Sequence, residues 1–472
     1  MTILNINKSG SLNKVYLLLQ LVMLSILYIC FELVPFGASP YIIWPCLLIF
    51  YTYFITSLMR PIHIVKGLPT IIKIDLLFMM FYFLLYYLPY QFWLLGFSEL
   101  GNSVFVSDTY VRYSNKAVLA STAGIISFMI GYRNISIFQL VSVERSAPDK
   151  YVTHFVFIFL FVFLLLFFLT GFSRMFSGAY GGSDTGSNTE NGIYFLVSHF
   201  VMIVFAVLIY FLSQKRKINN FLKISLAISI LWCLLLLVLG DRNTFFILAI
   251  VFGGGYFTFV KKIKYIGLIS AIFIAISTYN IIEISRNADE RGIEAITNAI
   301  TSTNENSHSI TEGSFNNTTI TSRAVFSLVP DKHDFFLGKI KIIGFAGIVP
   351  FSRSLFVDKS DRYTTSADII TEGVLGPDST WSLGSNIISD IYVDFGFIGI
   401  FFLMLFMGGG AVFVQSKIIK NPNSMKWLVI YLIFLGLYAE APRYSYDFAV
   451  RNIAWTILLF WGYEMFFKHK AK

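Results

Sequence analysis

The chain has 472 residues, of which 56% are hydrophobic, 18% aromatic and only 13% charged, with a formal net charge of +9. A soluble domain carries about 25% charged residues, so the composition excludes a string of soluble domains; the length reflects membrane spans. The positive balance lies in short loops and not in an aromatic-rich basic domain, which excludes a nucleic-acid partner.

A helical span needs ~20 mostly apolar residues. In chain order the candidates are residues 15–34, 41–59, 74–95, 117–132, 153–172, 193–212, 224–239, 244–260, 266–282, 395–414, 427–438 and 448–467. The eleventh is short and is expected to begin a few residues earlier. The first is too long for a cleaved signal and lacks a small-residue cleavage site, so it reads as an uncleaved anchor. Cys30, Cys46 and Cys233 all fall in apolar runs, which predicts neither a disulfide framework nor a thiolate metal site. The glycine triplets at 253–255 and 408–410 predict close helix packing. Asp75, at the edge of the third span, is expected at the membrane interface.

Lysine and arginine alternate along the loops. With the N-terminus inside, the inner loops hold sets such as Arg60, Lys66 and Lys73, then Lys215, Arg216, Lys217 and Lys223, then Lys417, Lys420 and Lys426. The short outer loops hold only Arg112, Lys116, Arg174, Arg242 and Arg443. This bias places both termini in the cytoplasm. The chain then divides into spans 1–9 (residues 1–283), a large outer loop (284–383) and spans 10–12 (384–472). Within the loop, residues 298–321 are rich in Asn, Ser and Thr. Residues 335–356 are apolar but broken by Gly338, Gly344, Gly347 and Pro350. They predict a half-buried helix or re-entrant element over the bundle, because irregular backbone survives at membrane depth only where protein or water satisfies it. The expected fold is an all-α polytopic integral membrane protein with about twelve transmembrane helices.

Arginines recur at outer helix ends. Gly240-Asp241-Arg242-Asn243 joins spans seven and eight. Arg242 there is a fork of donors for phosphate oxygens, or a turn residue paired with Asp241. Ser285-Arg286, with Arg291 beyond it, ends the ninth span. Glu440, Arg443, Asp447 and Arg451 mark the last hairpin. Arg451 lies about one turn inside a span, where an ion usually faces a polar cavity, or pairs with Asp447 at i,i+4. Asp390 and Asp394, also i,i+4, are candidates for a base, a sugar-hydroxyl acceptor or partners of the arginines. His333 is a second candidate base, since its reference pKa lies near neutrality, or a solvated loop residue; His199 is open to the same two readings. There is no Walker loop, His-Glu-x-x-His run or Gly-x-Ser-x-Gly elbow, which argues against ATP hydrolysis, zinc proteolysis and an elbow-type serine hydrolase. No metal or other cofactor is expected.

Taken in order, these patches resemble the O-antigen polymerase (Wzy-type) family. Gly240-Asp-Arg242 is similar to its Gly-x-Arg turn, and Ser285-Arg286 to its Ser-Arg after the next span. Gly338 through Pro350 and Arg353 resemble its glycine-containing segment, the run from Gly384 to Gly396 its entry to a late span, and Arg451-Asn452 its basic-Asn pair. Asp241 and Asp394 depart from the usual pattern. The resemblance implies a GT-C-like architecture with a periplasmic loop, in the bacterial inner membrane. It also implies a glycosyltransferase that joins oligosaccharide repeat units carried on undecaprenyl diphosphate, with membrane lipids and a chain-length regulator protein as partners. Arg242, Arg286, Arg353, Arg443 and Arg451 would bind substrate, with His333 or Asp394 as base. An O-antigen ligase of the same general fold is the nearest alternative. A flippase or transporter fits less well, because the charges crowd one face and no inverted repeat is present.

The loop alternation generates a direct test. On intact cells an impermeant thiol reagent is expected to label Asp378→Cys and to leave Lys217→Cys unlabelled. Labelling at Lys217 would reverse the topology.

Overall fold

A computed structural model describes residues 10–65, 68–100, 108–134, 151–170, 188–239, 241–264, 312–349, 352–357, 362–379 and 382–467, with a few positions between 266 and 277. Gly240, most of the ninth predicted span, Ser285, Arg286, Arg291 and Pro350 lie outside the described residues.

In a bilayer only intrasegment hydrogen bonds satisfy the backbone, so apolar runs become helices. The first are α1 (Gly10–Leu33), α2 (Pro40–Leu58), α3 (Ile74–Tyr86) and α4 (Leu88–Leu94), followed by α5 (Ser114–Asn134), α6 (Val152–Thr170), α7 (Asn188–Ser213) and α8 (Asn220–Leu239). Then come α9 (Arg242–Ala249), a π turn (Ile250–Gly254) and α10 (Gly255–Phe259). The segment expected to form the outer loop holds α11 (Glu312–Leu328), α12 (Lys339–Ala346) and α13 (Ser366–Leu375), and the chain closes with α14 (Ile387–Lys420), α15 (Met425–Glu440) and α16 (Tyr446–Phe467). A two-stranded antiparallel hairpin, Ile62–Val65 with Leu68–Thr70, is the one departure from helix among the described residues.

Among the described residues seven helices are long and apolar enough to cross a membrane, or eight if α3 and α4 form one broken span. The chain is therefore a multi-pass helical membrane protein. The eleventh expected span begins at Met425, two residues before the apolar run. α3 and α4 meet at a 52° bend. Pro89 has no N–H and disrupts the ladder at the carbonyl four residues back. That carbonyl, on Leu85, instead accepts the Thr319 hydroxyl of α11 at 3.2 Å.

The glycines do allow close approach. A Cβ on Gly408 of α14 would run into the Phe128 carbonyl of α5, and one on Gly131 into the Leu405 carbonyl. Gly254 and Gly255 face Leu435 and Leu432 of α15, at 3.0 and 2.9 Å from a built Cβ. Asp75, in the first turn of α3, is enclosed by protein. It is buried, accepts the Ser57 hydroxyl and lies 3.5 Å from Lys73. Lys73 in turn donates to the Ser57 and Arg60 carbonyls at 2.7 and 2.9 Å, supplying partners to the orphan carbonyls where α2 ends.

α14 is two legs joined at Gly396, whose φ of 63° and ψ of −157° fall where glycine is the residue of choice. The break frees carbonyls on the outer leg. Val393 and Asp394 give theirs to the Phe336 and Leu337 amides, at 3.1 and 3.0 Å. Beside this break lies a buried ion cluster. Lys341 of α12 is 2.8 Å from Asp390 and 3.1 Å from Asp394. Asp394, fully enclosed, also accepts the amides of Gly338, Ile340 and Lys341 at 3.1 to 3.3 Å. Asp390 takes the Ser366 hydroxyl of α13 at 2.6 Å and the Tyr446 amide of α16 at 2.8 Å. The two aspartates therefore pair with a lysine, and not with the arginines considered as partners in the sequence. Burial works against the Lys341 ammonium, but the two carboxylates outweigh it and hold its pKa above the usual lysine value.

Removing one member of such a cluster strands buried charge, a loss of about 3–5 kcal/mol. Lys341→Ala is expected to lower thermal stability of the detergent-purified protein accordingly. Unfolding at the wild-type temperature would show that the cluster contributes nothing.

Candidate functional site

Arginines from four elements gather at one end of the bundle. Arg242 is the first residue of α9, and the helix is capped by Asp241, which accepts the Thr244 amide at 3.2 Å and its hydroxyl at 2.7 Å. The Tyr194 hydroxyl of α7 also donates to Asp241. The Gly-Asp-Arg-Asn turn thus folds as a side-chain-capped helix start, with Arg242 held in the interior. Arg443 ends a 3₁₀ turn, Ala441–Arg443, between α15 and α16. Buried Glu440, at the end of α15, feels the charges of both Arg443 and Arg242.

Arg451 lies one turn into α16, half-buried. It makes no salt bridge with Asp447, one of the two readings the sequence offered, although the Asp447 charge acts on it. Its guanidinium instead lies 5.5, 5.9 and 6.0 Å from the ring centres of Trp455, Phe195 and Phe448, a cation–π arrangement. Its Nε is buried without a hydrogen-bond partner. α12 crosses over this helix through two glycines. Gly344 sits on Asp447 and Gly347 on Arg451, where a built Cβ would be 2.7 and 3.5 Å from their side chains. The Trp455 indole donates to the Ile348 carbonyl at 2.8 Å. Arg353, on the 3₁₀ turn Ser352–Leu355, donates to Thr364 at 3.3 Å, and its charge acts on Arg451. The adjacent Tyr194 and Phe195 of α7 tie the two halves together, one hydroxyl on the Arg242 cap and one ring against Arg451. The structure thus brings together Arg242, Arg353, Arg443 and Arg451; Arg286 lies outside the described residues.

The two candidate bases differ in setting. Asp394 is committed to Lys341 and three amides. His333 follows α11, is half-exposed and meets the Tyr363 ring edge-on at 5.3 Å. Among the described residues its side chain makes no hydrogen bond. His199 is buried in α7, with Nε2 3.1 Å from the Thr456 hydroxyl. No group of three or more His, Cys, Asp or Glu is placed to hold a metal among the described residues.

Three features escaped the sequence reading. Lys341 carried a signal, a lysine inside an apolar glycine-broken run. Arg323 of α11 carried a weaker one, an arginine opening the apolar run Ala324 to Val329; it is buried, with Nε on the Thr319 carbonyl at 3.3 Å. The third is a polar hub. The Tyr86 hydroxyl reaches Asn386 at 2.7 Å and the Pro442 carbonyl at 3.0 Å, and the Asn386 amide donates to Thr321 and Ser322. It links α3, α11, α14 and the Arg443 turn, and no local pattern announces it.

No curated protein matches the chain, and no solved structure does. The family model described as O-antigen polysaccharide polymerase Wzy matches residues 14–470. With nearly the whole sequence covered by that match, the chain belongs to the O-antigen polysaccharide polymerase Wzy family.

Proposed function

We propose that this protein joins oligosaccharide repeat units carried on undecaprenyl diphosphate, at the periplasmic face of the bacterial inner membrane. Family membership supports a polymerising glycosyltransferase acting on a lipid-linked oligosaccharide. The observation that carries the finer reading is the grouping of Arg242, Arg353, Arg443 and Arg451 at the end of the bundle remote from Lys73, Lys417 and Lys426.

In this reading the anomeric carbon of the growing glycan loses its diphosphate. Its C–O bond to phosphate breaks, and a sugar hydroxyl of the incoming unit forms the new C–O bond. The leaving diphosphate gathers charge as it departs. Guanidinium groups fixed in a poorly solvated site stabilise that charge, each by ~3–4 kcal/mol or ~10²–10³ in rate. Arg451 is suited to this, because aromatic rings hold its cation and no carboxylate forms a salt bridge with it, although the charge of Asp447 acts on it. Arg286 belongs to the same set by its place in the sequence. The proton of the attacking hydroxyl passes to His333, a step worth ~10²–10⁴. Asp394, engaged with Lys341, serves instead to hold α12 over Arg451.

A deletion strain is expected to display single, unpolymerised repeat units on its surface lipid. A ladder of normal length would sink the polymerase reading, and loss of even the single-unit species would favour a ligase or flippase.

With purified lipid-linked repeat units, Arg242→Ala and Arg451→Ala are each expected to cut polymer formation by roughly 10²-fold. Arg→Lys should restore only part of this, because an ammonium lacks the planar fork. Near-normal turnover by both alanine variants, at equal protein abundance, would remove the arginine clamp.

A further inference from the structure

Arg323 lies apart from the arginine group, on α11 where it packs against α4 and α5. It is 3% exposed. Its Nε has the weak bond to the Thr319 carbonyl, and its Nη1 is buried with no hydrogen-bond partner. Among the described residues no carboxylate pairs with it. Two further orphans lie beside it. The Tyr90 hydroxyl of α4 faces Ser114, the first residue of α5, and lies within the field of Arg323. The two hydroxyls are buried near each other, and neither has a partner in good hydrogen-bonding geometry.

A buried polar group without a partner is costly, and more so when charged. Three such groups in one place call for a common explanation. A water molecule would satisfy hydrogen bonds but leave the charge of Arg323 uncompensated. Burial pulls the guanidinium pKa down from its ordinary value, and the neighbouring Tyr90 opposes that. The missing component is thus an acceptor that also carries negative charge. A planar guanidinium with two hydroxyl donors matches the tetrahedral oxygens of phosphate. The site adjoins the bend at Pro89, and α4 ends in Leu95 and Phe97, exposed apolar residues at the bundle surface.

We propose that Arg323, Tyr90 and Ser114 form a phosphate-class oxyanion site, separate from the Arg242–Arg451 group. The phosphate comes either from solution or from a lipid headgroup.

The test uses the full-length protein, delipidated in uncharged detergent. Inorganic phosphate is titrated while thermal unfolding is followed. A saturable rise in Tm of a few degrees is expected, as for any ligand that binds the folded state alone. Arg323→Met should abolish the response. Tyr90→Phe with Ser114→Ala should weaken apparent affinity roughly tenfold or more. A lipid source would show differently. Phosphatidylglycerol would stabilise the wild type, phosphate-free diacylglycerol would not, and Arg323→Met would again lose the effect. The proposal is overturned if neither phosphate nor phosphatidylglycerol stabilises the wild type, or if Arg323→Met responds as the wild type does. Should Arg323→Met fail to fold, the double hydroxyl variant decides: unchanged affinity for the stabilising probe overturns the site. The readout is binding, so its outcome is independent of polymer formation.

Discussion

The arginine-bearing end of the bundle hangs on one ammonium held between two carboxylates. Lys341 brings α12 to α14, Asp390 reaches onward to α13 and α16, and Asp394 gathers the first amides of α12. The cluster is enclosed, so its attraction is little screened while its desolvation is severe. Such a cluster rewards one geometry and penalises the rest. It fixes a short, glycine-broken helix over a membrane span, where local propensity alone would not hold it: eight residues are too few for a stable isolated helix.

The arginine group depends on that placement. Gly344 and Gly347 let the α12 backbone settle on Asp447 and Arg451, and the aromatic rings beneath Arg451 hold its cation without neutralising it. A carboxylate in the same place would bind the guanidinium more strongly and leave less of it for an incoming anion. On the proposed reading of this site, π faces suit recognition and release of a phosphate better than salt bridges would. Glu440 shows the contrasting arrangement around Arg242 and Arg443, where an acid is built into the group.

Seven or eight spans were legible because a bilayer demands long apolar runs, and Arg242 and Arg443 because the loops expected outside carry few basic residues. The breaks were less legible. The third span read as continuous from residue 74 to 95, although Pro89 lay within it. The sequence placed Asp75 along its helix but did not show that Ser57 and Lys73 enclose it. The i,i+4 spacing of Asp447 and Arg451 suggested a pair, but the side chains turn to α12 and to aromatic rings. Spacing gives opportunity for contact; the neighbours decide whether it is used. Lys341 lies 49 residues from Asp390, a separation at which no local pattern registers a partner.

The Thr319 hydroxyl on the Leu85 carbonyl joins the outer segment to a defect in the third span. The loop is consequently not a module. A bend caused by Pro89 leaves an acceptor that only α11 fills, and α11 is further tied to α3 through Tyr86 and Asn386. Transplanting the loop between relatives would strand a carbonyl in apolar surroundings unless the bent span moved with it. A change on either side of this joint leaves a buried polar group unpaired unless the other side changes with it.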